Sequence, residues 1–170
     1  MGAFSIRDAL SEDAAALVSL RKAIFGETNF MLYAPSEYSA SPEELSAQIA
    51  KISSSGNSRS LLAETDDAFI GFLGVMGSPI PRLRHSAQIV VGVLRSHWRQ
   101  GVGRALLSEA IRWAPAAGLS RLELFVMSKN TGAIALYEQL GFRIEGSRRH
   151  AYIIDGAPVD DQLMAYVSEA

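Results

Sequence analysis

At 170 residues, with 48% hydrophobic residues and a net charge of −2, the chain can bury one full core and lacks the basic surplus of a nucleic-acid binder. It has no cysteine, which excludes a disulfide framework, thiolate catalysis and a cysteine-based zinc site, and its histidines, His85, His97 and His150, show no metal-ligand spacing. No apolar run approaches the length of a membrane span and no signal-peptide pattern opens the sequence, so the expectation is a single cytoplasmic domain over residues 1–170 with no membrane or nucleic-acid partner and no metal.

Phe4 to Asp8 alternates apolar and polar residues and reads as an opening strand. Ser11 is expected to cap a helix that carries Glu12 and Asp13 in its first turn and runs to about Phe25, with Ala14, Leu17, Val18, Ala23 and Ile24 facing a core. Phe30, Met31, Leu32 and Tyr33 follow between loop signals. As scaffold they plug the bottom of the core, the favoured reading. Ser41-Pro42-Glu43-Glu44 opens a second helix with a cap, a first-turn proline and acidic residues, and Ser53 to Asn57 closes it. Arg59–Glu64 and Phe69–Met76 read as a hairpin through Thr65 to Ala68. Arg82, Arg84 and His85 lie beyond two prolines and read as a solvated loop, the alternative being a rim for an anion.

The rest of the chain is organised around Ile89 to Trp113. An apolar β-branched run, Ile89, Val90, Val91 and Val93, predicts a buried strand, and Val102, Leu106, Ala110 and Trp113 mark one face of a helix. Gly101 and Gly103 stand at the turn between them. The first N–H groups of such a helix are unpaired and carry the positive end of its dipole, which suits a phosphate, and Arg99 and Arg104 bracket the loop. A tight strand-to-helix turn explains the glycines equally well, and neither a P-loop nor a dinucleotide fingerprint is present. Leu119 to Val126 predicts the next strand, with Leu122, Leu124 and Val126 on one face. Asn130 to Gln139 predicts a helix capped by Asn130 and stopped at Gly141, before a strand pair, Phe142–Ile154 and Val159–Val167.

Two blocks in this order resemble the GCN5-related N-acetyltransferase (GNAT) family. The first is Trp98-Arg99-Gln100-Gly101-Val102-Gly103, similar to the family's Gln/Arg-x-x-Gly-x-Gly/Ala loop but with Trp98 where Gln or Arg is usual and Arg99 where relatives with that tryptophan often carry glycine. The second, Val126 to Phe142, matches V-x-x-x-N-x-x-A-x-x-L-Y-x-x-x-G-F at each named position.

The resemblance implies a mixed α/β fold, a mostly antiparallel sheet of six to seven strands with a splayed central pair and about four helices. It implies acetyl-CoA as cofactor, held by the backbones of Val91 and Val93 and by Arg99, Gln100, Gly101, Val102, Gly103, Arg104 and Asn130. Tyr137 would protonate the leaving sulfur, and a bulge near Gly92 would free an N–H for the thioester carbonyl. The resemblance also implies that the segment between the first two helices lines the acceptor site, so Glu27, Phe30, Met31 and Tyr33 are candidates for substrate contact, Glu27 holding an ammonium group, along with Gln88. Gln88 stands where relatives often place a glutamate base, which leaves Glu27, Glu123 and His150 as candidate bases. The implied reaction is direct acetylation of a primary amine, on a small amino-acid-like molecule or a polyamine; a protein N-terminus or a non-catalytic acyl-CoA sensor are the alternatives. A homodimer is common in this fold.

Overall fold

The computed structural model describes residues 4–168, so the first three residues and the last two of the expected domain lie outside the described residues. The strands are β1 (Ser5–Asp8), β2 (Arg59–Glu64), β3 (Phe69–Gly77), β4 (Ser86–Val93), β5 (Arg121–Met127), β6 (Arg143–Ile154) and β7 (Ala157–Val167). The helices are α1 (Ala14–Glu27), α2 (Pro42–Ser54), α3 (Val102–Trp113) and α4 (Thr131–Gln139). The strands form one sheet in the order β1-β2-β3-β4-β5-β7-β6, antiparallel throughout except where β4 runs parallel to β5. This is the mixed α/β architecture that the sequence implies.

Apolar alternation sends side chains to two cores. Leu61, Leu73, Ala87, Ile89, Leu122, Leu124 and Val126 pack with Val102, Leu106 and Leu107 of α3 on one face. Leu62 and Phe72 pack with Leu17, Ile24, Leu45 and Ile49 of α1 and α2 on the other. α2 begins as expected: the Ser41 hydroxyl accepts from the Glu44 N–H at 3.2 Å and the Glu44 carboxylate accepts from the Ser41 N–H at 2.9 Å, a reciprocal capping box.

α1 does not begin as expected. Ser11 sits inside a short 3-10 turn, and the Asp13 carboxylate takes the Leu10 N–H at 2.7 Å. Arg7, reaching from β1, donates to both Asp13 oxygens at 2.7 and 2.9 Å, and these charge-assisted bonds displace the serine hydroxyl from the capping role. The same guanidinium holds the Asp13 carboxyl below the usual carboxylate range.

The core plug is also overturned. Phe30, Leu32 and Tyr33 are 40%, 66% and 45% exposed, and Met31 is the member of the run that packs against the second core. α1 and α2 already fill that core with their own leucines and isoleucines, so the loop between them lies outside it. Tyr33 instead joins Phe25 and Tyr38 in an aromatic cluster with ring centroids 5.0–6.2 Å apart.

The central strand pair opens without a bulge. β3 and β4 keep one register from Gly71↔Val93 to Gly77↔Ala87. β4 and β5 pair over Ser86–Gln88 with Arg121–Glu123 and then part, while β5 stays bonded to β7 as far as Met127. Gly92 answers a packing need instead, since a Cβ there would stand 2.7 Å from the Phe72 ring.

Candidate active site

The gap between β4 and β5 is lined by main chain. The Leu94 N–H donates to the Ile70 carbonyl at 2.9 Å, which sets the phase of the β3–β4 ladder. Even-numbered residues of β4 therefore exchange hydrogen bonds with β3, and the N–H and C=O groups of Val91 and Val93 point into the gap. The Val93 carbonyl accepts the Trp98 indole N–H at 2.7 Å, and the Arg95 guanidinium lies 5.6 Å from the Trp98 ring. Trp98, the departure from the usual loop sequence, thus closes one end of the gap.

Beyond Trp98 the chain turns into α3. Arg99 has φ +60° and Gly101 φ +88°, both left-handed, and α3 begins at Val102 with no side-chain cap on its first N–H groups. Gly103 lets α3 approach α4, a Cβ there lying 3.4 Å from Leu136. The Arg99 guanidinium reaches the first turn of α4, where a Cβ on Gly132 would be 3.6 Å from its Nη2. Asn130 caps α4 by accepting the Ala133 N–H at 3.3 Å. Gln100 donates to the Ser96 carbonyl at 2.8 Å and Arg104 to Gln139, so both are tied to protein groups. The N-termini of α3 and α4 are thereby linked across the loop by one arginine.

Tyr137 lies on α4, buried, its ring centroid 5.8 Å from that of Phe142. Burial pushes its phenol up to about 12, and no group among the described residues hydrogen-bonds its hydroxyl.

On the opposite face of the sheet the parity of the core leaves Gln88 and Val90 of β4 and Glu123 and Phe125 of β5, with Gln88 beside Glu123. α1 and α2 cover Leu62 and Phe72 but not this patch, where Met76, Gln88 and Val90 are exposed although they stand on interior strands. A cavity of about 420 Å³ opens here, lined by residues that include Met76, Leu83, His85, Gln88, Arg121 and Glu123. Gln88 and Glu123 form the last paired rung before the strands part. One Glu123 oxygen takes the Arg121 Nε–H at 2.9 Å, and Arg121 is shared with Glu145, whose carboxyl it holds below its ordinary range.

Of the residues expected to meet a substrate, Gln88 lines this cavity, whereas Glu27, Phe30, Met31 and Tyr33 do not. Glu27 is engaged elsewhere, its carboxylate accepting the Arg95 N–H at 2.7 Å and pinning the end of α1 to the end of β4. His150, a candidate base, is an exposed residue with φ +52° in an irregular part of β6. His85, expected on a solvated loop, borders the cavity. Met76 and Leu83 went unnoticed in the sequence; an exposed apolar residue on an interior strand shows only once the helices are placed.

The sequence pattern of the Acetyltransferase (GNAT) family matches residues 26–142. The chain belongs to the GNAT acetyltransferase family. Among solved structures, the acetyltransferase of GNAT family from Streptococcus pneumoniae is 34% identical with a TM-score of 0.94, the match covering 98% of this chain and 100% of that one. The chain is 40% identical to the ribosomal protein bS18-alanine N-acetyltransferase of Escherichia coli K12 over 75 residues, 44% of this chain and 51% of the relative. It is 33% identical to the L-amino acid N-acetyltransferase AaaT of the same organism over 111 residues, 64% of this chain and 68% of that protein. The chain spans about half the length of the first of these curated relatives. GNAT proteins use acetyl-CoA. The backbone-lined gap, the glycine turn and the uncapped start of α3 suit that cofactor's pantetheine arm and phosphates. No helix among the described residues is long and apolar enough to cross a membrane.

Proposed function

We propose that this GNAT protein N-acetylates the α-amino group of a small, apolar amino-acid-like molecule. The observation that carries it is the cavity beside the last paired rung of β4 and β5, where the gap begins, with Met76 and Leu83 on its lining and Glu123 as its one carboxylate. A polyamine, with several ammonium groups, calls for several carboxylates. The second reading is a protein N-terminus, favoured by the local identity to the bS18-alanine enzyme; it shares the α-amine and differs in lacking a free carboxylate beside it.

Acetyl-CoA supplies an acetyl group activated as a thioester. The chain's residues divide the remaining work. Val91 and the Val93 N–H would hold the pantetheine arm through main-chain hydrogen bonds, and the first N–H groups of α3 with Arg99 would hold the pyrophosphate. Tyr137 holds a proton on its hydroxyl for a departing sulfur. Glu123, on the last rung before the gap, accepts the proton of the substrate ammonium at its carboxylate, with Gln88 beside it as a hydrogen-bonding group.

Thiol release from acetyl-CoA across amino acids, polyamines and peptides tests this. Turnover of apolar amino acids is expected. Tight CoA binding without release on any amine would mark an acyl-CoA sensor instead. Glu123→Gln should lower kcat by at least about tenfold near neutral pH, the deficit shrinking as alkaline buffer deprotonates the amine without help. A deficit that stays constant with pH would remove Glu123 from the role of base.

Arg99 gives a second, opposed pair of effects. A non-glycine residue in the left-handed region is strained by about 1–2 kcal/mol, so Arg99→Gly should unfold at a higher temperature while binding CoA more weakly. Thermal unfolding and calorimetry on the same variant check both signs.

A further inference from the structure

The geometry points to Arg148 as a clamp for the acceptor's α-carboxylate, a subsite that makes a free amino acid the preferred substrate. This rests on the amino-acid reading above. Asp161 of β7 is a carboxylate with 0% exposure. Both of its oxygens are taken by Arg148 of β6, the Nε–H donating to Oδ1 at 2.9 Å and Nη2 to Oδ2. The guanidinium carbon of Arg148 lies 3.9 Å from the centroid of the Phe125 ring, while the side chain remains 50% exposed.

A buried carboxylate under a half-exposed arginine adds little net stability, because desolvation offsets much of the attraction. What the pair does achieve is orientation. A guanidinium has five N–H donors in a rigid fork. Asp161 occupies the Nε–H and one N–H of Nη2, Phe125 fixes the plane, the Tyr152 hydroxyl stands against the same guanidinium, and half of the Arg148 side chain remains open to solvent. β6 leaves regular pairing directly after this point: Arg148 pairs with Asp161 and Tyr152 with Val159, so the residues between them bulge out, with the His150 N–H held by the Asp160 carboxylate at 2.7 Å. A fixed, half-exposed guanidinium thus stands at the boundary of a bulge.

Its position suits an amino acid. Phe125 follows Glu123 by two residues on β5, on the same face of the sheet and about 7 Å further along the strand, where β4 has moved away. An amine held at Glu123 would direct a carboxylate one carbon away along β5 toward Phe125 and the guanidinium stacked on it. A peptide N-terminus has an amide at that carbon, whose single neutral oxygen can accept from the fork but offers neither the charge nor the second oxygen of a bidentate pair.

The test compares one amino acid turned over by the unaltered protein with its primary carboxamide, in the unaltered protein, in Arg148→Lys, and in Arg148→Gln combined with Asp161→Asn, which leaves no buried carboxylate unpaired. The unaltered protein should favour the acid by about 10- to 100-fold in kcat/KM, expressed mainly in KM. Arg148→Lys, which keeps a cation over Asp161 but loses the fork, should lower that preference, and the double variant should bring it near one, the loss falling on the acid far more than on the carboxamide. Either variant retaining the full preference overturns the clamp, as does an equal fall for acid and carboxamide in both, the mark of a structural pair. Equal use of acid and carboxamide by the unaltered protein overturns the clamp and leaves the acetyltransferase reading standing. Failure to turn over any amine removes both.

Discussion

Tyr137→Phe should lower kcat by about 10²- to 10³-fold while CoA binds as before and the protein unfolds at the same or a higher temperature. The combination follows from the surroundings of the ring. Its contact with Phe142 survives the change, and the hydroxyl that is lost has no hydrogen-bond partner among the described residues, so no hydrogen bond is given up. A residue kept only for packing would show no such loss of turnover. The raised phenol supplies a further check. Because the folded-state pKa, about 12, lies above the ordinary value near 10, the unfolded chain gives up this proton first as pH rises. The unfolded state then binds fewer protons, and stability falls by about 1.4 kcal/mol per pH unit across that window. Tyr137→Phe escapes this loss, so its advantage in unfolding temperature should widen above pH 10. Turnover should likewise show no fall from phenol ionisation until well above pH 10. Full activity in Tyr137→Phe would leave the proton donor to be sought elsewhere.

The β4–loop–α3 stretch was legible because its information is local. Apolar periodicity changes from two to 3.6 at Gly101, and Arg99, which replaces a common glycine, sits at φ +60°. The Ser41 cap was legible for the same reason, all its partners lying within three residues. Ser11 failed as a cap because the competing donor, Arg7, comes from the preceding strand. The gap was expected but its cause was not: strands part where β5 keeps to β7, and that choice involves residues some forty positions further on. The alternation of Leu122, Leu124 and Val126 already implied that Glu123 and Phe125 share the other face. That this face is uncovered depends on where α1 and α2 lie, and the Arg148–Asp161 pair depends on the register of two distant strands and a bulge. Such placements are set by the packing of whole elements, which no local spacing encodes.

Gly77→Ala should be the most destabilising single-methyl addition on the cavity side of the sheet. A Cβ at this position would lie 2.2 Å from the Asn57 carbonyl oxygen and 2.4 Å from its Cγ, and a backbone atom cannot swing aside as a side-chain tip can. Asn57 is itself buried, and its Nδ2 donates to the carbonyls of Ser78 at 2.9 Å and Arg84 at 3.4 Å. It therefore pins both ends of the segment that carries Leu83 and leads to His85 on the cavity lining. Displacing Asn57 leaves buried polar groups unpaired as well as straining the strand. The expected loss lies at the upper end of about 1–3 kcal/mol, which for a chain of this size lowers the unfolding temperature by about 6–12 °C. Gly146→Ala is the control, since a Cβ there meets nothing within 4 Å. The functional consequence separates the two halves of the site. The glycine turn and α3 stand at the far end of β4 from Gly77, so CoA affinity should hold while KM for the acceptor rises. An unfolding temperature equal to that of the unaltered protein would refute the close approach of Gly77 to Asn57. A destabilised protein with unchanged acceptor KM would show that the cavity beside Gln88 and Glu123 is not where the amine binds.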